Sequence, residues 1–274
     1  MKIKKSLVVC LAIILVLLIA VASYMLQVWK NNKYRIVAGD HLYLTSQNKS
    51  LLWFDIVHSN NPHDIMFNDI EIKFVEFSPD LVLVEGGYNS FEGNRDTAIA
   101  NGESAFAAFL AKQNEIAVDD IEPPFSKQIE YLQTKYPPDE ILAMYLIRQI
   151  GSMELMEEDI DFDLDTFLLN ETRFFIENGL NYSATDLNSI LKTVNMYLPQ
   201  RISKDNWRNL KVYRVYGKEN GILYSVYNDT VNYRNTYLVE YIKEKMEQYD
   251  KIFIIMGGQH LLDTKQQLEE LYFQ

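Results

Sequence analysis

The sequence predicts an α/β protein with a mainly parallel central sheet flanked by helices, a helical cap insertion and an N-terminal transmembrane helix. Strand-like runs alternate with helix-length segments, which is the pattern of β-α-β units. Residues 81–84 are continuously apolar, as is typical of a parallel strand that is buried on both faces. The resulting order is β-β-α-β-α-β, a helical insertion, and then α-β-α.

The N-terminal segment predicts a membrane anchor. Residues 6–28 carry no charge, and this run is longer than the roughly 20 residues that cross a hydrocarbon core. The lysines before it predict that the amino end stays in the cytoplasm. The alternative is a signal peptide cleaved after Ala22, which would release a secreted protein. We therefore assign residues 1–30 to a signal anchor and residues 31–274 to an extracytoplasmic domain, periplasmic or extracellular.

The elements of the first half follow from local patterns. Residues 41–45 and 51–57 predict two strands joined by a turn-rich segment. Asn60-Asn-Pro62 opens a predicted helix that extends to about Phe77, where Ser78-Pro-Asp80 ends it. Residues 81–84 then form a strand, residues 102–115 a helix and residues 116–122 another strand, which Pro123-Pro124 ends.

The second half is mostly helical. Helices are predicted at about residues 125–135, 138–150, 163–178 and 185–198, the last with Ser183 as its N-cap. They make up a helical insertion at about residues 124–200. A helix over residues 231–249, a strand over residues 251–256 and a closing helix from about Leu261 complete the fold.

Composition excludes several classes of function. The net charge of −12 would repel phosphate backbones, so nucleic acid is not an expected partner. Cys10 is the only cysteine and lies in the apolar segment, so the folded part has neither a disulfide nor a thiolate metal site. The sequence contains no Gly-x-Ser-x-Gly elbow, phosphate loop or dinucleotide fingerprint.

Four predicted strands deliver an imidazole or a carboxylate at their ends. His58, Glu85, Glu122 and His260 occupy these positions, and two glycines stand shortly before His260. In α/β sheets, ligands bind beyond the carboxyl ends of the strands, so we expect these side chains to form a site. Two histidines with two glutamates suit a hydrolytic divalent metal.

Each candidate also has a structural interpretation. Glu85 ends a buried strand and could form an ion pair with Arg95 or Arg234. Glu103 could stabilise a helix N-terminus through the helix dipole. Arg234 could be a surface residue or could stabilise an oxyanion. We expect His260, after two glycines that permit a sharp turn, to face solvent. The alternative for His260 taken alone is a capping or core role.

Several short motifs together resemble the TraB/PrgY/GumN family, which is related to the Tiki membrane-anchored proteases and more distantly to the ChaN and erythromycin-esterase proteins. The resemblance covers about residues 51–271. The motifs are His58-Ser-Asn-Asn-Pro, Pro79-Asp-Leu-Val-Leu-Val-Glu-Gly86, Gly102-Glu-Ser, Ile121-Glu-Pro123, Arg234-Asn and Gly257-Gly-Gln-His-Leu261. The resemblance implies an EreA/ChaN-like fold and a metal-dependent protease. It also implies active-site roles for His58, Glu85, Arg234 and His260, joined by Glu103 and Glu122.

One position departs from the family pattern. Asp55 stands where the first Gly-x-x-His motif has its glycine. An aspartate there could crowd the site, supply an extra ligand, or point away if the alternation of the strand puts it on the other face. The departure bears on activity more than on fold.

The sequence therefore predicts an extracytoplasmic, membrane-anchored, metal-dependent hydrolase that acts on a peptide or a small molecule, with a peptide bond as the expected target. The metal would be Mn, Co or Zn. One glutamate would serve as general base, and the arginine would stabilise the oxyanion. The predicted metal ligands are His58, His260 and Glu103, and the predicted catalytic groups are Glu85, Glu122 and Arg234.

Two non-catalytic alternatives remain open. The chain could be a binding protein that captures haem, iron or a signalling peptide, although the sequence offers no evident pair of Tyr or Met haem ligands. It could also be a family member in which Asp55 has ended catalysis and which acts as an interaction module.

Overall fold

The computed structural model describes seven stretches of the chain: residues 41–46, 48–56, 58–59, 61–88, 91–155, 162–209 and 221–272. The predicted membrane anchor and the alternative cleavage position after Ala22 lie outside these residues. Within the stretches described, none of the helices has the length and apolarity needed to cross a membrane.

A five-stranded mixed sheet confirms the predicted α/β class. Its strands lie in the order β1-β2-β5-β3-β4. β1 is antiparallel to β2, and the other three pairings are parallel. The strands are β1 (Leu42–Ser46), β2 (Lys49–Ile56), β3 (Leu81–Val84), β4 (Ala117–Asp120) and β5 (Lys251–Gly257).

Nine α-helices accompany the sheet in the described residues. They are α1 (Ile65–Phe77), α2 (Arg95–Ala100), α3 (Glu103–Gln113), α4 (Phe125–Gln133), α5 (Pro138–Leu155), α6 (Leu164–Glu177), α7 (Leu187–Met196), α8 (Ile222–Met246) and α9 (Gly258–Tyr272).

Four of these helices differ from the prediction, and the early start of α9 at Gly258 is one of the differences. α2 was not expected, because six residues are too short to show a helical period. α8 begins at Ile222 instead of residue 231. The N-cap of α7 is Asp186, whose side chain accepts a hydrogen bond from the Ser189 amide, so the assignment of Ser183 was wrong.

The two faces of the sheet are covered by different helices. Leu52, Phe54 and Ile56 alternate along β2 and pack with the buried side chains of α1, α2 and α3. The intervening residues of β2 therefore point to the opposite face. α9 packs against β1, β2 and β5, and the indole N–H of Trp53 donates to the Met256 carbonyl at 3.1 Å.

The chain divides into two compact units. One consists of Met1–Asp120 with Glu244–Gln274 and contains the sheet; the other is Ile121–Lys243 and is helical in its described part. The core of the helical unit centres on α5, where Ile141, Leu142, Met144 and Ile147 are fully buried. The helical insertion predicted at about residues 124–200 falls within this second unit.

Candidate functional site

Three predicted site residues follow neighbouring parallel strands. Glu85 comes directly after β3, His58 two residues after β2, and His260 is the third residue of α9, which follows β5 without a loop. β5 lies between β2 and β3. The carboxyl ends of these strands share one edge of the sheet, which is where α/β folds bind ligands.

His58 and Glu103 form the central contact of this edge. Glu103 Oε2 lies 3.5 Å from His58 Nδ1. The other carboxylate oxygen of Glu103 accepts a hydrogen bond from the backbone N–H of Ser59. Glu103 is 3% exposed, whereas the His58 side chain is 77% exposed. A buried carboxylate thus contacts one nitrogen of an imidazole whose remaining surface is open to solvent.

The electrostatics of this edge favour the protonated imidazole. The hydrogen bond to Glu103 raises the pKa of His58, and the negative charges of Glu103 and Glu85 raise it further. Burial acts in the opposite direction and lowers this pKa, without cancelling the increase. The pKa of His58 is therefore raised by two carboxylates. The negative charge that stabilises the protonated imidazole also attracts other cations.

Glu85 is anchored by the neighbouring strand. The backbone N–H of Gly257, the last residue of β5, donates to Glu85 Oε2 at 3.4 Å. The side chain is half-buried. Two glycines follow it with φ of 89° and 77°, in the left-handed region that glycine tolerates best. The chain consequently turns away sharply and leaves the carboxylate at the strand end.

His260 differs from the expectation. The sequence predicted a solvent-facing side chain, but His260 is 9% exposed. The reason is that α9 begins at Gly258 and not near Leu261, so His260 lies in the first helical turn against the sheet. Its carbonyl accepts a hydrogen bond from the Thr264 hydroxyl at 2.7 Å.

Asp55 points at the start of α9. It is 5% exposed, and a Cβ added to Gly258 would lie 2.3 Å from its Oδ1 atom. The aspartate in place of the motif glycine therefore sits with its carboxylate against a helix N-terminus, whose dipole favours negative charge. The absence of a side chain at Gly258 makes room for it.

Glu122 and Arg234 belong to the helical unit. Arg234 donates to the Glu122 carboxylate, and the two side chains are partly buried, with exposures of 14% for Arg234 and 26% for Glu122. Two of the three predicted catalytic groups, Arg234 and Glu122, thus form an ion pair with each other. Their roles as general base and oxyanion stabiliser stay predictions.

The donor chemistry of the sheet edge fits a divalent metal, since an imidazole and two carboxylates interact there. In the part of the chain that the structure describes, however, no three His, Cys, Asp or Glu side chains converge as a ligand set. The contact of Glu103 is with the Nδ1 atom of His58, which leaves Nε2 as the nitrogen that could bind a metal. Carboxylates commonly orient metal-binding histidines in this way.

Sequence reasoning missed two features of the site. The Ser59 backbone amide was not considered, although it fixes Glu103 against the strand exit. The contact between Asp55 and Gly258 was also missed. The sequence signal that could have indicated it is an acid near the end of one strand combined with a glycine just after the neighbouring parallel strand. Comparison of the chain with protein-family models, curated proteins and solved structures found no match.

Proposed function

We propose that this chain is a membrane-anchored, extracytoplasmic, metal-dependent hydrolase that acts on peptide bonds, as the resemblance to the TraB/PrgY/GumN family implies. The observation that carries the proposal is the contact between His58 and Glu103 at the carboxyl edge of a parallel sheet. A solvent-exposed imidazole held by a buried carboxylate is the arrangement that metal-binding histidines use.

In this proposal, His58 and His260 with one glutamate hold the metal, which is Mn, Co or Zn. Glu103 orients the His58 imidazole through Nδ1 and keeps Nε2 available. When bound, a divalent metal polarises a carbonyl group and lowers the pKa of a coordinated water. The oxygen-rich set of neighbours suits these metals better than copper.

Glu85 serves as the general base of the proposed reaction. The Gly257 amide donates to its carboxylate and holds it at the end of β3, and a carboxylate at this edge of the sheet would accept a proton from an attacking water. Arg234 stabilises the oxyanion, and Glu122, its partner in the helical unit, holds the guanidinium or acts as a second base.

The remaining parts of the proposal rest on the sequence. Residues 6–28 anchor the chain in the membrane, and the folded part lies outside the cytoplasm. By the same resemblance, the helical insertion at about residues 124–200 corresponds to the cap insertion of an erythromycin-esterase or ChaN-like fold. The test of the topology is whether added protease digests the folded part in intact cells or, where an outer membrane encloses the cell, in spheroplasts.

The decisive experiment is metal analysis of the full-length protein by inductively coupled plasma mass spectrometry. We expect about one equivalent of Mn, Co or Zn in the wild type and none in a His58→Ala/His260→Ala double variant. The single variant His58→Ala tests the site without disturbing the core, because His58 is exposed. His63→Ala is the matched control, since His63 is an exposed histidine before α1.

Activity is tested with a peptide library and the metal that the first experiment identifies. Hydrolysis that a chelator abolishes and the same metal restores would support the proposal. Metal-free protein after soaking with each candidate ion would contradict it, as would full activity in the double variant. Far-UV circular dichroism of each variant checks that the fold is retained.

A non-catalytic binding protein is the second candidate function. The observation that favours it is the buried carboxylate of Asp55, which takes the place of the motif glycine beside the start of α9. A Soret band on addition of hemin, together with no metal-dependent hydrolysis, would support this candidate over the first.

A further inference from the structure

The unit that contains the sheet has a cavity at the other end of its parallel strands. Its volume is about 380 Å³, within the range of small-molecule sites. Lys251, the first residue of β5, lines it, whereas His260 follows the end of that strand. β5 has seven residues, so the two positions are on the order of 20 Å apart along the strand. The cavity is therefore distinct from the candidate metal site.

Three of the seven residues that line the cavity carry aromatic rings: His41, Tyr43 and Phe77. Phe77 and Leu52 form its buried floor, with exposures of 7% and 6%. The Tyr43 ring meets the Phe77 ring edge-on, with centroids 6.1 Å apart, and the His41 ring stacks on Phe54 at 4.0 Å. Flat rings on several sides fit a flat apolar ligand better than a flexible chain.

Two polar groups at the cavity have no hydrogen-bond or ion-pair partner among the residues that the structure describes. The Lys251 ammonium lies 5.1 Å from the centroid of the Phe77 ring and forms no ion pair with a carboxylate of the described residues. The hydroxyl of Tyr43, a residue that is 57% exposed, makes no hydrogen bond within the described part of the chain. Lys73, by contrast, is neutralised by Glu76 at 2.8 Å. One net positive charge and one hydroxyl donor thus face an aromatic cavity.

We propose that this cavity binds a small aromatic carboxylate. The ring of the ligand would lie among Phe77, Tyr43 and His41, and its carboxylate would accept hydrogen bonds from Lys251 and Tyr43. Charge-assisted hydrogen bonds of this kind are stronger than neutral ones, so the anion should bind better than an uncharged analogue of the same shape. The proposal does not depend on the hydrolase function.

The test is isothermal titration calorimetry of the full-length protein with 2-naphthoate and with its neutral analogue 2-naphthamide, each against a protein-free blank. Lys251→Met keeps the length of the side chain and removes its charge. We expect this variant to bind 2-naphthoate about tenfold more weakly and 2-naphthamide as before. Lys265→Met, which removes an exposed lysine of α9, is the matched control and should change neither affinity.

Tyr43→Phe gives a second test at an exposed position of an edge strand, where the fold does not depend on the hydroxyl. It should weaken binding of 2-naphthoate about threefold. Three results would overturn the proposal: no binding of 2-naphthoate to the wild type, equal affinities for the two probes, or an equal loss in the Lys265→Met control. Selective weakening by either cavity variant would support it.

Discussion

The contact between Asp55 and Gly258 makes a sharp prediction about Gly258→Ala. The new Cβ would lie 2.3 Å from Asp55 Oδ1 and 2.6 Å from its Cγ and Oδ2, whereas ordinary contacts begin at 3.4 Å. The carboxylate would have to move by about 1 Å. Asp55 is only 5% exposed, so it has little space to move into.

The net cost follows from two opposing effects. Overpacking in a buried region costs about 1–3 kcal/mol. Alanine is favoured over glycine in a helix by up to about 1 kcal/mol, which offsets part of that cost. We therefore expect Gly258→Ala to lower the free energy of unfolding by about 1–2 kcal/mol.

A double-mutant cycle with Asp55→Ala isolates this contact. Asp55→Ala removes the three atoms that the new Cβ would meet, so in that background Gly258→Ala should stabilise the protein slightly. The assay is equilibrium unfolding in urea, followed by far-UV circular dichroism. Gly257→Ala is the matched control, because a Cβ there meets no atom within 4 Å. An equal loss of stability from Gly258→Ala in both backgrounds would refute the reasoning.

Three further predictions concern the candidate site and the helix ends. Glu103→Gln should lower the pKa of His58 toward 6.5, measured by NMR titration of the metal-free protein. Because the pKa of His58 is raised in the folded protein, its contact with Glu103 stabilises the fold below pH 6.5, and this stabilisation is lost as the pH rises through the folded pKa. A difference in stability between wild type and Glu103→Gln that grows at alkaline pH would contradict this reasoning. Gly102→Ala should cost about 1–2 kcal/mol in urea unfolding, because Gly102 has φ of 88° before α3; no change would refute the strain. Asp64→Ala should cost about 1 kcal/mol by removing the N-cap of α1, and Asp64→Asn should restore most of it.

Elements with strong local signals could be predicted well from the sequence. β3 matches its predicted bounds because a continuous apolar run lies between Ser78-Pro-Asp80 and a pair of glycines. The start of α8 was missed, since residues 222–230 are rich in Tyr, Ser, Asn and Thr, which have modest helix propensity. Their helix is stabilised by burial of Leu223, Val226 and Thr230, a tertiary effect that local propensity does not reveal.

That three candidate residues follow strands could be predicted, but the contacts between the candidate residues could not. Parallel strands have a common carboxyl edge, so the order of elements was enough to expect His58, Glu85 and His260 at one edge. That their strands are neighbours follows only from the order of the sheet in the structure. The partner of His58 depends on where α3 begins, because Glu103, its first residue, lies 45 residues further along the chain. His260 is buried because α9 begins three residues earlier than predicted, at Gly258. A difference of three residues is within the ordinary uncertainty of a predicted helix boundary.

The structure shows on which face of the sheet the Asp55 side chain lies. The sequence left three possibilities for it: crowding the site, supplying a ligand, or pointing to the other face of the sheet. Its position in β2 puts it on the face that α9 covers, away from Phe54 and Ile56. There its charge is favoured by the N-terminus of α9, and Gly258 leaves room for it. An aspartate at this position is therefore compatible with the fold, and it lies against the first turn of α9, the turn that carries His260.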